Sequence, residues 1–490
     1  MKQAKLLTLA GCLALGLLCC GPEVSDAYPR VHIEYQTRVD ENNGFDYVFA
    51  EGTMSGIVGD DGSYTVPVQI YYPTKNGNGT AVLELTNSAL LFFHVASRGD
   101  QVGDRRADVD DLDELEKMQV NFGFAGAGDY LLRKGFTYMA IQHSKMVTDF
   151  MGEALPEGRD RRRLSYGRIE KASDAYEIVG DAARWLRDTG ALTGDAPPVQ
   201  SQDHVIAYGL SDGGYFLRNY LMRGANAGQE IDAFFLHAAG SMNLEMIDEN
   251  ADCPQGSSCL GSPRFSHYFL SEGVPPTNGA RILAVDAQSD LEFNAGALAR
   301  PDDDVADYVR WEVAGAPHVP VFALDMRPLG AEHQNTMDWS PIWRSGFHYL
   351  HTWLKEGTPP PSGPPIKGRT VKGGDGPGWE PQLDRDGNAL GGIRLPEIQL
   401  PLGVYTGFDF SWLEPAASES SPYAIVFAYG GRFDPFSDQE LAKRYPTEVA
   451  YRDAYVAAAR TAFEEGYILE EDLRRYADRP LKLPHLGSAN

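Results

Sequence analysis

The stretch His204-Val-Ile-Ala-Tyr-Gly-Leu-Ser-Asp-Gly-Gly214 decides how this chain is expected to fold. Its first five residues are an apolar run typical of a buried strand, and Gly-x-Ser-x-Gly follows directly at residues 209–213. The residues after it, up to Gly224, have a helical pattern that ends at a glycine. A strand, this pentapeptide and a helix form a sharp turn that holds the serine in a strained conformation and exposes its hydroxyl. The pattern therefore predicts that Ser211 is a nucleophile.

The composition excludes some classes of partner. The chain has 490 residues, of which 69 are acidic and 43 are basic, so its formal net charge is −26. Such a surface would repel nucleic-acid phosphates, and we expect no nucleic-acid partner. Hydrophobic residues make up 43% of the sequence, which is enough for one large core.

The N-terminal segment has the pattern of an export leader. Lys2 and Lys5 precede an apolar stretch at residues 6–18, which is too short to span a bilayer. The following Leu17-Leu-Cys-Cys20 resembles a bacterial lipoprotein processing site at Cys20. We expect residues 1–19 to be a leader and the protein to be periplasmic, an outer-membrane lipoprotein or extracellular. Any membrane contact would then be made through a lipid on Cys20, and plain secretion stays open.

The remaining cysteines fit an oxidising compartment. Three of the five cysteines lie in or at the end of the leader, which leaves Cys253 and Cys259 on either side of a polar loop. We expect these two to form a disulfide. No His or Cys pair lies near them at ligand spacing, so a zinc site is not expected.

Strand-like and helix-like segments alternate along most of the chain. Strands are expected at residues 31–35, 46–49, 64–72, 81–86, 136–141, 204–208, 231–236, 282–285 and 309–313, and helices at 125–134, 172–187, 214–223 and 342–354. The Asn-Gly pairs at residues 75–79 predict a hairpin between two of the strands. Alternation of this kind is typical of the α/β class, with a mostly parallel sheet covered by helices on both faces. The irregular residues 243–278 are expected to form a lid-like insertion over the site.

A serine nucleophile needs a histidine base, and in this class the chain order is serine, acid, histidine. His318 follows the strand at 309–313 through a glycine turn, which would carry its ring over the serine. His333 also lies in a loop and is the main competitor. His348 and His351 share a helix face, where packing is the better interpretation.

The acid and the oxyanion donors are expected on loops that follow strands. Asp290 lies a few residues beyond the strand at 282–285, with Asp286 and Glu292 as alternatives for the acid. The backbone N–H of Asp212 is expected to be one oxyanion donor. The second should come from Asn87 or Ser88, with the segment 97–99 as the alternative.

Several segments far from the serine carry a resemblance to a known family. They are Trp311–His318, Met337–Arg344, Asp386–Pro396 and residues 451–472. With them the chain resembles bacterial alpha/beta hydrolase domain-containing proteins, from about Tyr64 onward. The resemblance implies the α/β-hydrolase fold over residues 27–490 as a single catalytic domain, with residues 366–490 as an extension packed on the core.

The same resemblance implies His318 as the base and supports Asp290 as the acid. One position departs from the family as it is usually seen, because Asp212 stands where members tend to carry glutamine. A carboxylate beside the oxyanion hole could alter the pH dependence or the choice of substrate.

These observations lead to one functional hypothesis with two alternatives. We expect an exported serine hydrolase that cleaves small or polymeric carboxylic esters through an acyl-enzyme, without a metal or organic cofactor. A serine peptidase or amidase of the same fold is one alternative, and a non-catalytic surface-binding protein is the other. The run Asp384-Arg-Asp-Gly-Asn388 has the spacing of a calcium loop, but it lacks the later glycine and glutamate, so an Asx turn is favoured.

Overall fold

A computed structural model describes most of the chain. The residues it describes are 29–39, 45–59, 62–86, 121–145, 148, 168–188, 192–193, 199–246, 266–372, 377–414, 424–480 and 483. The predictions for Cys20, Asn87, Ser88, Cys253 and Cys259 concern positions outside these ranges, as does the alternative segment 97–99.

Eleven of the described strands form one large sheet. They are β1 (Arg30–Val39), β2 (Tyr47–Val58), β3 (Gly62–Pro73), β4 (Thr80–Leu85), β5 (Thr137–Ile141), β6 (Arg168–Ile169), β7 (Leu192–Thr193), β8 (His204–Leu210), β9 (Ala233–His237), β12 (Arg281–Ala287) and β13 (Tyr308–Val313), while β10 (Met242–Met246) and β11 (Ser266–Leu270) pair separately. The order across the sheet is β13-β12-β9-β8-β4-β5-β3-β2-β1-β7, with β6 paired to β3. The strands from β13 to β5 are parallel, and β3, β2 and β1 continue the sheet in antiparallel fashion.

The hairpin predicted around residues 75–79 is wrong. β5 lies between β3 and β4, pairing antiparallel with the first and parallel with the second. Every residue of β4 is buried, which requires a neighbour on both edges and cover on both faces. The chain after β3 therefore skips one strand position in the sheet before it forms β4, and β5 occupies that position. The neighbouring strands that do pair directly in sequence are β2 and β3.

Helices cover both faces of the parallel part. Their bounds are α1 (Phe122–Arg133), α2 (Ala175–Arg187), α3 (Asp212–Met222), α4 (Gln288–Glu292), α5 (Ser340–Glu356), α6 (Pro396–Gln399), α7 (Ala424–Tyr429), α8 (Asp438–Arg444), α9 (Glu448–Glu464) and α10 (Glu470–Asp478). Alternate residues of β8 enter two separate cores. Ile206 and Tyr208 pack with α1 and α5, whereas Val205 and Ala207 pack with α2 and α3. The predicted α/β class with helices on both faces is confirmed.

The C-terminal part packs on the first of these cores. It contains two small two-stranded sheets, β14 (Gly368–Lys372) with β15 (Pro377–Pro381) and β16 (Gly403–Thr406) with β17 (Arg432–Pro435). The short helix α6 ends at Gln399, and β16 begins at Gly403. Arg344 of α5 forms a buried ion pair with Asp472 of α10 at 2.6 Å, which fixes α10 to α5. Of the helices described, none is long and apolar enough to cross a membrane.

Candidate active site

Ser211 stands at the sharp turn between β8 and α3. Its backbone angles are φ 54° and ψ −118°, a strained conformation for a residue with a side chain, and its N–H donates to the His237 carbonyl at 3.0 Å. A Cβ on Gly209 would lie 2.3 Å from the carbonyl carbon of Gly213, so only glycine fits at position 209. The strained turn is the one that the Gly-x-Ser-x-Gly pattern predicts, whereas Ser211 itself is largely buried, with 9% of its surface exposed.

The structure brings Ser211, His318 and Asp290 into one hydrogen-bonded row. His318 Nε2 lies 2.7 Å from the Ser211 hydroxyl oxygen, and His318 Nδ1 lies 2.5 Å from Asp290 Oδ1. All three residues are buried, and Asp290 is 0% exposed. A row of this kind can move a proton from the serine to the imidazole while the carboxylate fixes the ring's orientation.

The Asp290 carboxylate is held by more than the imidazole. Its Oδ2 accepts a hydrogen bond from the Ala287 N–H at the start of α4, at 2.7 Å. Its Oδ1 also accepts from the Asn294 side-chain amide, at 3.1 Å. These neutral donors stabilise a buried negative charge that would otherwise be costly.

The two alternative acids have other partners. Asp286 lies 2.5 Å from the Arg310 guanidinium, and its Oδ1 accepts from the Gly240 N–H. Burial raises the pKa of Asp286 to about 6, against the lowering effect of Arg310. Glu292 accepts a hydrogen bond from the Gln288 side chain at 2.7 Å, and burial raises the pKa of Glu292 to about 7. Of the candidate acids, it is Asp290 that contacts His318.

The competing histidines are engaged elsewhere or exposed. His333 lies at the surface. His348 Nδ1 lies 3.1 Å from the Tyr130 hydroxyl, and His351 Nδ1 lies 2.9 Å from the Thr80 hydroxyl, as packing on a helix face predicts.

His237 is buried beneath the serine turn. Its Nδ1 hydrogen-bonds with the Tyr208 hydroxyl at 2.9 Å, and its ring packs edge-on against Trp343 with centroids 4.3 Å apart. Burial, reinforced by the nearby His318, holds the pKa of His237 well below its usual value. His237 therefore supports the turn as a neutral side chain.

Sequence reasoning missed a set of polar side chains around the acid. Asn294 donates to the Tyr215 hydroxyl at 2.9 Å as well as to Asp290, and its carbonyl oxygen accepts from the Tyr429 hydroxyl at 3.2 Å. Tyr215 follows Ser211 by four residues, and Asn294 follows Asp290 by four. Residues four apart in a helical segment lie on the same face, so this spacing could have indicated that Tyr215 and Asn294 lie near the site.

Tyr429 comes from the C-terminal extension, and no local pattern indicates it. Its ring packs against the His318 imidazole with centroids 4.3 Å apart. Its carbonyl accepts from the N–H of Val319, next to His318, at 3.0 Å. The extension thus contributes both a ring and a backbone contact to residues 314–319, the loop that carries His318, which we call the histidine loop.

Asp212 is the first residue of α3 and is buried beside Ser211. The N–H of Asp212 belongs to the first turn of α3, where N–H groups have no partner within the helix itself, and this is the position that the predicted oxyanion donor requires. Its side chain accepts a long hydrogen bond, 3.4 Å, from Tyr268 of β11, which pairs antiparallel with β10. β11 lies within residues 243–278, the segment predicted as a lid-like insertion.

Within the described ranges, no group of three His, Cys, Asp or Glu residues is arranged to hold a metal ion. In the run at 384–388, one oxygen of Asp384 accepts from the N–H groups of Asp386 and Asn388, at 2.9 and 3.0 Å. The run is therefore an Asx turn.

Comparison with solved structures gives partial likenesses at low identity. A glucuronoyl esterase of Teredinibacter turnerae is 12% identical to this chain; the alignment covers 44% of this chain and 47% of the esterase, with a TM-score of 0.24. An acetyl xylan esterase of Thermoanaerobacterium sp. is 14% identical, with 42% and 52% aligned and a TM-score of 0.20. The rice cell wall degrading esterase of Xanthomonas oryzae is 13% identical, with 42% and 49% aligned and a TM-score of 0.23. The chain spans about half the length of each.

Among curated proteins, none matches the sequence. A family model does match it, over residues 107–478, and that model is described as an alpha/beta hydrolase domain. The matched range contains the serine turn, the acid loop, the histidine loop and most of the C-terminal extension.

Proposed function

The chain belongs to the alpha/beta hydrolase domain family, and on this premise we propose that it is a serine hydrolase that cleaves carboxylic esters through an acyl-enzyme. The observation that carries the proposal is the hydrogen-bonded row from Ser211 through His318 to Asp290, with distances of 2.7 and 2.5 Å. The strained backbone at Ser211 adds support, because such strain is typical of functional positions.

In the first half of the reaction Ser211 Oγ attacks the ester carbonyl carbon, and His318 Nε2 accepts the hydroxyl proton. The carbonyl oxygen becomes negatively charged, and the Asp212 N–H at the start of α3 donates to it. Asn87 and Ser88 remain the proposed sources of the second donor. His318 then gives its proton to the alcohol oxygen, the bond from that oxygen to the carbonyl carbon breaks, and the acyl group stays on Ser211.

In the second half a water molecule attacks the acyl-enzyme. His318 accepts a proton from the water and returns it to Ser211 Oγ as the acid product leaves. The Asp290 carboxylate stabilises the imidazolium, and its three donors hold it in position.

The proposal is tested by turnover and by covalent labelling. The purified protein is assayed with p-nitrophenyl esters of several acyl lengths and with a p-nitroanilide of the same acyl group, and it is treated with a fluorophosphonate probe. We expect ester turnover well above anilide turnover, together with labelling. Faster anilide cleavage would indicate an amidase, and neither turnover nor labelling would refute the hydrolase proposal.

Two serine variants make the test specific. Ser211→Ala should lose activity by several orders of magnitude because the nucleophile is gone. Ser289→Ala is the matched control, since it removes a buried hydroxyl beside Asp290 that has no hydrogen-bond partner among the described residues. Equal activity in the two variants would contradict the assignment of Ser211.

A further inference from the structure

Four aromatic rings lie together beside the histidine loop, and we call them the aromatic patch: Phe293, Phe408, Phe410 and Tyr429. Phe293 and Phe408 are stacked almost parallel, with centroids 4.7 Å apart and an interplanar angle of 9°. Phe410 lies on Phe408 at 4.7 Å. Tyr429 meets Phe408 and Phe293 edge-on, at 5.3 and 5.4 Å. The rings come from the end of α4, the segment after β16 and α7.

Two members of the patch are exposed to an unusual degree for aromatic side chains. Phe293 is 43% exposed and Phe410 is 53% exposed, while Phe408 beneath them is fully buried. A single exposed hydrophobic residue needs no explanation, but exposed rings joined in one cluster mark a binding surface.

The patch is continuous with the candidate active site. Tyr429, its inner ring, packs on the imidazole of His318 at 4.3 Å and is only partly buried. Phe293 directly follows α4, which carries Asp290. The patch therefore begins on the His318 side of the reacting centre.

The chemistry of the proposed reaction decides which part of an ester lies on that side. His318 must deliver its proton to the oxygen of the departing alcohol, so the alcohol portion sits next to the imidazole. We propose that the aromatic patch binds the alcohol portion of the ester and that this enzyme prefers esters of aromatic, uncharged alcohols. This inference rests on the proposed function and names its substrate class.

The exposed phenyl faces of the patch favour an uncharged alcohol, because an aromatic ring can stack on them without carrying a charge. The charged groups nearby do not select an ionic alcohol. The Asp409 carboxylate accepts from the backbone and hydroxyl of Ser411, at 3.1 and 2.6 Å, and lies 3.8 Å from the Arg432 guanidinium. Burial raises the pKa of Glu292 to about 7, so this carboxyl group is not a fixed negative charge.

The test uses acetate esters of primary alcohols, because their leaving oxygens are chemically alike. To vary the alcohol portion, kcat/KM is measured for ethyl, benzyl and 2-naphthylmethyl acetate. To vary the acyl portion, kcat/KM is compared between ethyl acetate and ethyl phenylacetate. We expect 2-naphthylmethyl acetate to be preferred over ethyl acetate by on the order of 100-fold, from burial of its rings. Phe293→Ala and Phe410→Ala should each reduce this ratio by about tenfold, and Phe410→Tyr should retain it.

A control variant and a binding measurement separate the possible failures. Val449→Ala removes an exposed side chain (68%) on α9 and should leave the ratio unchanged. Calorimetry with the product, 2-naphthalenemethanol, should show binding that weakens about tenfold in Phe410→Ala. If no ester is cleaved but the alcohol binds in this way, the proposed hydrolase function is refuted, whereas binding of an aromatic alcohol by the patch is supported. If esters are cleaved with no preference for the aromatic alcohol, or with the preference on the acyl side, the patch proposal is overturned.

Discussion

Replacing Asn294 with leucine tests whether the side chains around the acid contribute to catalysis. In one step the change removes the amide donor to Asp290 Oδ1, at 3.1 Å, and the donor to the Tyr215 hydroxyl, at 2.9 Å. It also removes the oxygen that accepts from the Tyr429 hydroxyl, at 3.2 Å. Leucine keeps a similar branched shape, so the lost hydrogen bonds account for most of the effect.

The magnitude follows from the kind of hydrogen bond that is lost. A hydrogen bond to a charged group contributes about 1.5–3 kcal/mol. The carboxylate matters most when His318 is protonated in the transition state, so most of that free energy should appear in the rate. We expect kcat/KM for p-nitrophenyl acetate to fall about 10- to 100-fold in Asn294→Leu. The free energy of unfolding should fall by about 2–4 kcal/mol, since buried hydroxyls lose partners.

Asn226→Leu is the matched control. Asn226 is also fully buried, and its amide donates to the Ile231 carbonyl at 2.9 Å and accepts from the Ile231 N–H. Asn226 follows the C-terminus of α3, and Ser211 precedes its N-terminus. The Asn226→Leu substitution should therefore lower the free energy of unfolding without lowering kcat/KM. Unchanged kcat/KM in Asn294→Leu, or an equal loss in both variants, would refute the reasoning.

Three further predictions concern the stability of the fold. Burial raises the pKa of Glu84 to about 7, so the folded state binds this proton more tightly than the unfolded chain and loses stability as the pH rises from about 5 to 8. Denaturant titrations of wild type and Glu84→Gln at pH 5 and at pH 8 test this. Between pH 5 and pH 8 the wild type should lose up to roughly 3 kcal/mol of unfolding free energy relative to the variant. An unchanged difference between the two proteins would contradict the prediction. Arg344→Met removes the 2.6 Å ion pair of the buried Asp472 carboxylate and leaves it only the more distant Arg475, at 3.5 Å, so it should cost about 3 kcal/mol in urea unfolding. A loss under about 1 kcal/mol would show that the Arg344 pair does not fix the C-terminal helices. Gly209→Ala forces a Cβ against the Gly213 backbone and should lower Tm by several degrees or prevent folding, so a wild-type Tm would exclude the tight turn.

The sequence was sufficient for the features that depend on local patterns. The parallel strands and the helices of the sheet follow from apolar periodicity, and the Ser211 turn follows from glycines that a Cβ would not allow. Chain order then selected the histidine and the acid that the structure brings next to Ser211. The hairpin at residues 75–79 was wrongly predicted because an Asn-Gly turn does not reveal that a later strand, β5, will enter between its arms.

Features that depend on distant parts of the chain could not be predicted. Tyr429 reaches His318 only because the C-terminal extension packs across the histidine loop, and its residue type and neighbours resemble those of any core tyrosine. The aromatic patch joins three separate segments, so no single stretch of sequence displays it. Asn294 was recognisable in principle, because it lies one helical turn beyond Asp290.

The central claim is that Ser211 forms a covalent bond with the substrate's acyl group, activated by His318. Intact-protein mass spectrometry after fluorophosphonate treatment, followed by peptide mapping, tests this most directly. The account predicts one adduct per chain, located on Ser211, absent in Ser211→Ala and formed much more slowly in His318→Ala. An adduct on another residue, or none in a protein that still cleaves esters, would contradict it.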